Sequence, residues 1–268
     1  METILFLTVY FTIIFSILGY GLFFAKLINA DFFQLNYGYL GLFGVCFLIF
    51  VSYTTHLFFS HGYIHNIIIH SVGILFFFFF HTQLKKNSSK ELKILIFVFL
   101  IFLIAIFLSK NNEDFPYYHF PYVLHLVQNK LQFGQGWFQS GYRHHSSLLY
   151  FNSLFYLPRV EYYLFTSSNL IIFSFVNLIL FKNIFNKKNI ENFNFIFILN
   201  LFSLIYLVTI FNRLADFGTD KAGQAIVFVL AIMSLEILNK KNEFEEIKTE
   251  LQILIILLLL LITLKIYF

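Results

Sequence analysis

Eight apolar runs, each long enough or nearly long enough to cross a bilayer, leave this chain very few ways to fold. They are Ile4–Phe24, Gly38–Tyr53, Ile64–Phe80, Leu92–Leu108, Leu164–Phe181, Phe193–Phe211, Ala222–Leu238 and Leu251–Tyr267. A spanning helix needs about 20 mostly apolar residues. Backbone polar groups in hydrocarbon must also be satisfied within their own segment, so runs of this kind become helices. The expectation is an all-α, polytopic transmembrane helix bundle of about eight spans forming one integral membrane domain over 1–268. Hydrophobic residues make up 59% and charged residues 12%, which excludes an ordinary soluble domain. The surplus of basic residues sits between the runs, so it reads as a topology signal and points to no nucleic-acid partner. Met1 to Ala25 lacks the basic start of a signal peptide and reads as a first span. The 41 phenylalanines reflect compositional bias.

Lys26, the group Lys85, Lys86, Lys90 and Lys93, the group Lys182, Lys187 and Lys188, and the group Lys240, Lys241 and Lys248 fall on one face if the spans alternate. Basic connections mark the cytoplasmic side. Residues 109–161 and 212–221 then share the outer face, and the N-terminus lies outside. Gly38, Gly41 and Gly44 recur at helical spacing, where a neighbouring backbone can approach closely. Cys46 is the only cysteine, which excludes internal disulfides and cysteine-based metal sites. The chain stops at Phe268 in or just beyond an apolar run, as expected of an N-terminal fragment of a longer protein.

The long interval between the fourth and fifth runs interrupts the apolar pattern. Residues 111–158 hold all three prolines, the only tryptophan and four of the nine histidines. Within it, Ser146–Leu157 is apolar but too short to span, so a short helix at or dipping into the interface is expected, with Trp137 and nearby tyrosines at headgroup depth. Asp114, Tyr118, His119 and Pro121 form a D-x-x-x-Y-H-x-P pattern directly after a span. Pro116 and Pro121 discourage a continuous helix. The carboxylate is thereby held at the membrane surface, where it suits a general base acting on a hydroxyl; the bland reading is a charge marking the end of a span. Arg143, His144 and His145 precede Ser146 and Ser147 at the start of the short helix. Arginine's planar fork and free helical N–H groups suit a phosphate or pyrophosphate, against a bland reading of interface anchoring. Asp216 and Asp220, with Arg213 and Lys221, lie before the seventh run, where they flank a helix or supply a second acid. His61 and His65 form an H-x-x-x-H pair near His56, His70 and His81. A histidine-box oxygenase needs more boxes than this chain has, so polar packing between helices is the reading for His65 and His70.

The run DFPYYHFPYVLHLVQN, followed by GYRHHSSLLYFNSLFYLP, resembles the long outer loop of GT-C type membrane glycosyltransferases, in particular bacterial members with D-x-x-N-Y-H-x-P and a later arginine with N-S-S. Tyr117 stands at the asparagine position of the first motif, and His145 stands where asparagine precedes the two serines. The resemblance implies a sugar transferase using a polyprenyl-phosphate-sugar donor and a lipid or glycan acceptor at the outer face of a bacterial inner membrane. It implies Asp114 and His119 as catalytic residues, Asp114 as base and His119 positioning the acceptor or the donor phosphate. Tyr118, Arg143, His144, His145, Ser146 and Asp220 would contact substrate. It assigns no metal ligand, although some members bind a divalent cation. A lipid phosphate leaves as a stable anion, so one carboxylate and a cationic cradle suffice, whereas a glycosidase needs two carboxyls. Two other classes compete: a transporter with the loop as lid, and a non-catalytic membrane subunit.

Overall fold

A computed structural model of the chain describes residues 3–30, 35–82, 88–107, 114–143, 146–185, 195–210, 220–239 and 244–264. The described residues form ten α-helices: α1 Thr3–Leu27, α2 Tyr37–His56, α3 Tyr63–His81, α4 Ser88–Phe107, α5 Phe120–Gln128, α6 Ser147–Ser153, α7 Ser167–Ile184, α8 Phe195–Thr209, α9 Asp220–Asn239 and α10 Phe244–Leu264. No strand occurs among them; Leu157 and Glu161 form a single isolated bridge. Every apolar run of the sequence has a helix at its position. Six helices are long and apolar enough to cross a membrane: α1, α2, α3, α7, α9 and the Ile247–Leu264 part of α10. The other two runs form α4, whose start carries Lys90, Glu91 and Lys93, and α8, 15 residues long.

Helix α7 is the centre of the bundle and touches α2, α4, α8 and α9, while α1 lies between α2 and α3. Most of α7 is buried, whereas α3, α4 and α8 turn Ile68, Phe78, Phe79, Phe97, Ile104, Phe202 and Ile205 outward. Outward-facing apolar stripes of this size are what lipid covers. The glycine pattern is spent on close contact, as its spacing implies. A Cβ on Gly44 would stand 1.9 Å from the Ile17 carbonyl of α1, and one on Gly41 2.2 Å from the Phe175 ring of α7. Without a hydrophobic driving force between helices in lipid, such backbone approach is the main source of packing energy.

Two sets of contacts mark the two ends of the bundle. At one end Lys182 pairs with Glu91 at 2.7 Å, the Tyr37 hydroxyl lies 3.1 Å from His81 Nδ1, and Gln252 donates to the Ile28 carbonyl at 3.1 Å. Lys26 also lies there, at the last turn of α1. At the opposite end, here termed the loop end, the end of α2, the start of α3 and the end of α10 meet residues 120–157. This is the alternation that the lysine distribution implies.

The loop-end segment carries its own small core, in which Tyr122, Val123, Leu126 and Val127 of α5 meet Leu149, Tyr150 and Phe165. The expectation of an interfacial helix over Ser146–Leu157 is corrected in one respect. A short helix is present, but every residue of α6 is buried. It packs against α2, α5, α7 and α10, so protein covers it where lipid was expected to.

Candidate functional site

Phe115–His119 forms one turn of π-helix leading into α5, with Pro116 in its first turn and Pro121 in the first turn of α5. Proline lacks the N–H that a regular α-helix would use there, and single π turns recur at functional sites. Asp114 caps this turn and is exposed, while His119 is only 3% exposed. The Tyr118 ring lies edge-on to His119, with centroids 4.2 Å apart, and its other side rests on Gly141, where an added Cβ would come within 2.5 Å of Tyr118 Cβ.

The Tyr118 phenol faces two carboxylates. It donates a hydrogen bond to Asp114 and feels the charge of Asp220, the first residue of α9. Partial burial, followed by these two negative charges, raises its pKa above the ordinary tyrosine value. A carboxylate in the first turn of a helix is favoured by the helix dipole. The sequence offered Asp220 mainly as a helix-flanking charge; in the fold its charge acts on the same phenol as that of Asp114.

The other residues singled out in the sequence are distributed differently. Arg143 is exposed, and its Nε donates to the Gly136 carbonyl at 2.8 Å while its guanidinium sits 5.7 Å from the Trp137 ring centre. The turn that carries it, Ser140–Arg143, packs against the Asp114 turn. Gln139 adds a hydrogen bond to the Tyr117 carbonyl at 3.0 Å. Ser146 is buried, caps α6 by accepting from the Leu148 amide, and donates to the Leu264 carbonyl at 2.7 Å. The first bond caps α6 and the second ties it to the end of α10. His144, His145, Arg213 and Asp216 lie outside the described residues.

A second polar cluster occupies the same end and is buried. His61 lies in the α2–α3 connection, with Nε2 3.1 Å from the Ser52 carbonyl and Nδ1 2.6 Å from the Ser153 hydroxyl of α6. A carbonyl only accepts, so Nε2 carries the proton. Burial, then the neighbouring His65 and His56 rings, push the His61 pKa from 6.5 down to about 3. Asn66 spreads its amide over the carbonyls of His61, Ser153 and Tyr156 at 2.8, 2.8 and 3.0 Å. His70 reaches the Leu154 carbonyl and the Ser16 hydroxyl, and His56 the Asn129 carbonyl. The contacts to Asn129, Ser153, Leu154 and Tyr156 join a spanning helix or its connection to the loop-end segment, while those to Ser16, Ser52 and the His61 carbonyl tie the first three spans to one another. The His61 and His65 rings stack 4.7 Å apart at 17°, an arrangement that does not aim their nitrogens at one point. Among the described residues no group of three or more His, Cys, Asp or Glu is placed to hold a metal ion. Polar packing, the reading given to His65 and His70, fits the hydrogen bonds of the whole cluster. The part sequence reasoning missed is Asn66 with Ser153, whose only sequence signal is an asparagine amid isoleucines.

The molecule is therefore a helical integral membrane protein with a water-exposed acid and a two-carboxylate tyrosine at one end. The chain belongs to the DUF8201 family, a domain of unknown function, which matches residues 1–268. No curated protein and no solved structure matches it.

Proposed function

We propose that this protein is a GT-C-like membrane glycosyltransferase of eight spans that moves a sugar from a polyprenyl-phosphate donor to a hydroxyl acceptor. In this reading the lysine-rich end is cytoplasmic and the loop end faces the exterior of a bacterial inner membrane. The observation that carries it is the position of Asp114: exposed to water, directly beyond a long apolar helix, and hydrogen-bonded by Tyr118 next to Asp220. A base at that level meets a soluble hydroxyl and a lipid-borne donor at once.

The acceptor hydroxyl attacks the anomeric carbon as the bond from that carbon to the phosphate oxygen breaks. Its proton passes to the Asp114 carboxylate, and the lipid phosphate departs with the bonding electrons. Tyr118 holds the carboxylate in place. Asp220 supplies a second acidic oxygen pair to bind sugar hydroxyls. Arg143, on the adjoining turn, is the cation assigned to the departing phosphate, a role that calls for its fork to swing from Gly136. His119, being buried, acts through Tyr118. A single displacement inverts the anomeric centre.

The test uses purified protein in liposomes with labelled polyprenyl-phosphate sugars and a panel of glycan and lipid acceptors. Transfer by the parent protein, its loss in Asp114→Asn, and an inverted product by NMR are the expected results. Equal transfer by both proteins, or a retained configuration, overturns the scheme.

A further inference from the structure

The three most exposed large hydrophobic side chains among the described residues are aromatic and stand together in sequence: Phe133 at 92%, Trp137 at 86% and Phe138 at 93%. The backbone beneath them is pinned. The Leu131 amide donates to the His56 carbonyl at 3.3 Å, Gln135 contacts His125, Gln139 donates to Tyr117 and Arg143 to Gly136. The aromatics are thus presented outward by a fixed frame and are left open by the other described residues.

We propose that residues 130–143 form a docking element for the surface of an anionic phospholipid leaflet, independent of any sugar-transfer activity. Continuity is the first argument. Leu131 bonds to the last residue of α2, and beyond that residue Leu57, Phe58 and Phe59 are exposed, with Phe50 exposed on α2 itself. The patch is therefore an extension of the lipid-facing surface of a spanning helix, at the level where hydrocarbon gives way to headgroups. Charge is the second argument. From Phe115 to Val160 the sequence contains no Asp or Glu, whereas Lys130, Arg143 and Arg159 are exposed. Arg143 over the Trp137 ring joins an apolar body to a cationic tip, the combination that settles at a headgroup layer. Basic residues beside a membrane attract anionic lipid, whereas a glycan acceptor would leave Phe58, Phe59 and Phe133 uncovered.

Trp137 is the only tryptophan, so tryptophan emission, excited at the red edge where tyrosine does not absorb, reports on this element alone. In liposomes containing phosphatidylglycerol, its emission is expected to be blue-shifted, quenched by lipids brominated high on the acyl chain, and shielded from acrylamide. Replacing phosphatidylglycerol with phosphatidylcholine weakens lipid quenching, by about fivefold in the bound-to-free ratio for each cation engaged. K130Q/R143Q removes that lipid dependence, and F133S/F138S lowers lipid quenching in both lipids. Circular dichroism verifies that each variant is folded. Trp137 open to acrylamide and untouched by brominated lipid in both compositions overturns the proposal. Shielding that develops only on adding a glycan or a protein partner overturns it in favour of that occupant.

Discussion

The loop end holds two clusters of ionisable and polar side chains, and they are built on opposite principles. Around Asn66 the imidazoles of His56, His61 and His70 are buried and bonded to backbone carbonyls of other segments. Around Tyr118 the acid is exposed, and the charges of Asp114 and Asp220 both act on one phenol. Buried imidazoles must be neutral to sit in a low-dielectric interior, so they are fitted to hold segments together. An exposed carboxylate is open to a hydroxyl arriving from water. The histidines draw the eye because ionisable groups near membrane spans are costly and often functional. Their bonding assigns them to architecture; in the proposed reading the chemistry falls to the less conspicuous aspartate.

The sharpest way to break this contrast is to exchange the expected outcomes of one residue from each cluster. Asp114→Asn is expected to lower sugar transfer by about 10²–10⁴-fold, the range for a general base, with the thermal midpoint unchanged. Asn66→Ala is expected to do the reverse. It strips the buried carbonyls of His61, Ser153 and Tyr156 of their donor and destabilises the fold by roughly 2–4 kcal/mol. Denaturation in detergent together with transfer assays on the residual folded protein separates the two. An Asn66 variant that is stable but inactive would move the histidine cluster into the catalytic machinery.

Proton linkage sharpens the contrast further. The folded His61 titrates near 3 against 6.5 when unfolded. Between those values the unfolded chain holds a proton that the folded chain does not. Stability is therefore full above 6.5 and falls as pH drops through that window, by about 1.4 kcal/mol per pH unit from this group. Melting curves from pH 7 to pH 4 are expected to be shallower in pH for His61→Gln than for the parent.

The helical class, a helix at each apolar run and the two-ended arrangement were legible because hydrocarbon imposes a length and a polarity that any sequence must display, whereas α5, outside those runs, was not. The glycines of α2 were legible for the same reason: spacing alone tells which face is narrow. What was not legible depended on contacts between distant segments. Nothing local shows that Asp220 reaches Tyr118, since both a helix-flanking acid and a site acid occupy the first turn of a helix. Ser146–Leu157 looked interfacial because its length and apolarity are the same whether lipid or protein covers it. Ser146 itself looked like part of an anion cradle until Leu264 supplied its acceptor.

The smallest expected effect tests the hinge between the two clusters. Tyr118 touches both worlds: its ring packs on buried His119 and Gly141, and its hydroxyl holds Asp114. Tyr118→Phe preserves the ring and removes only the hydroxyl. If the phenol orients the base, transfer falls by roughly tenfold, near the lower limit for a hydrogen bond to a charged group, with a change in kcat and little in KM. Stability should stay within about 0.5 kcal/mol, as for a surface substitution. A Tyr118→Phe variant that melts early yet transfers at the parent rate would show that the phenol belongs with the buried histidines, and Asp114 would then have to be oriented by something other than the turn that carries it.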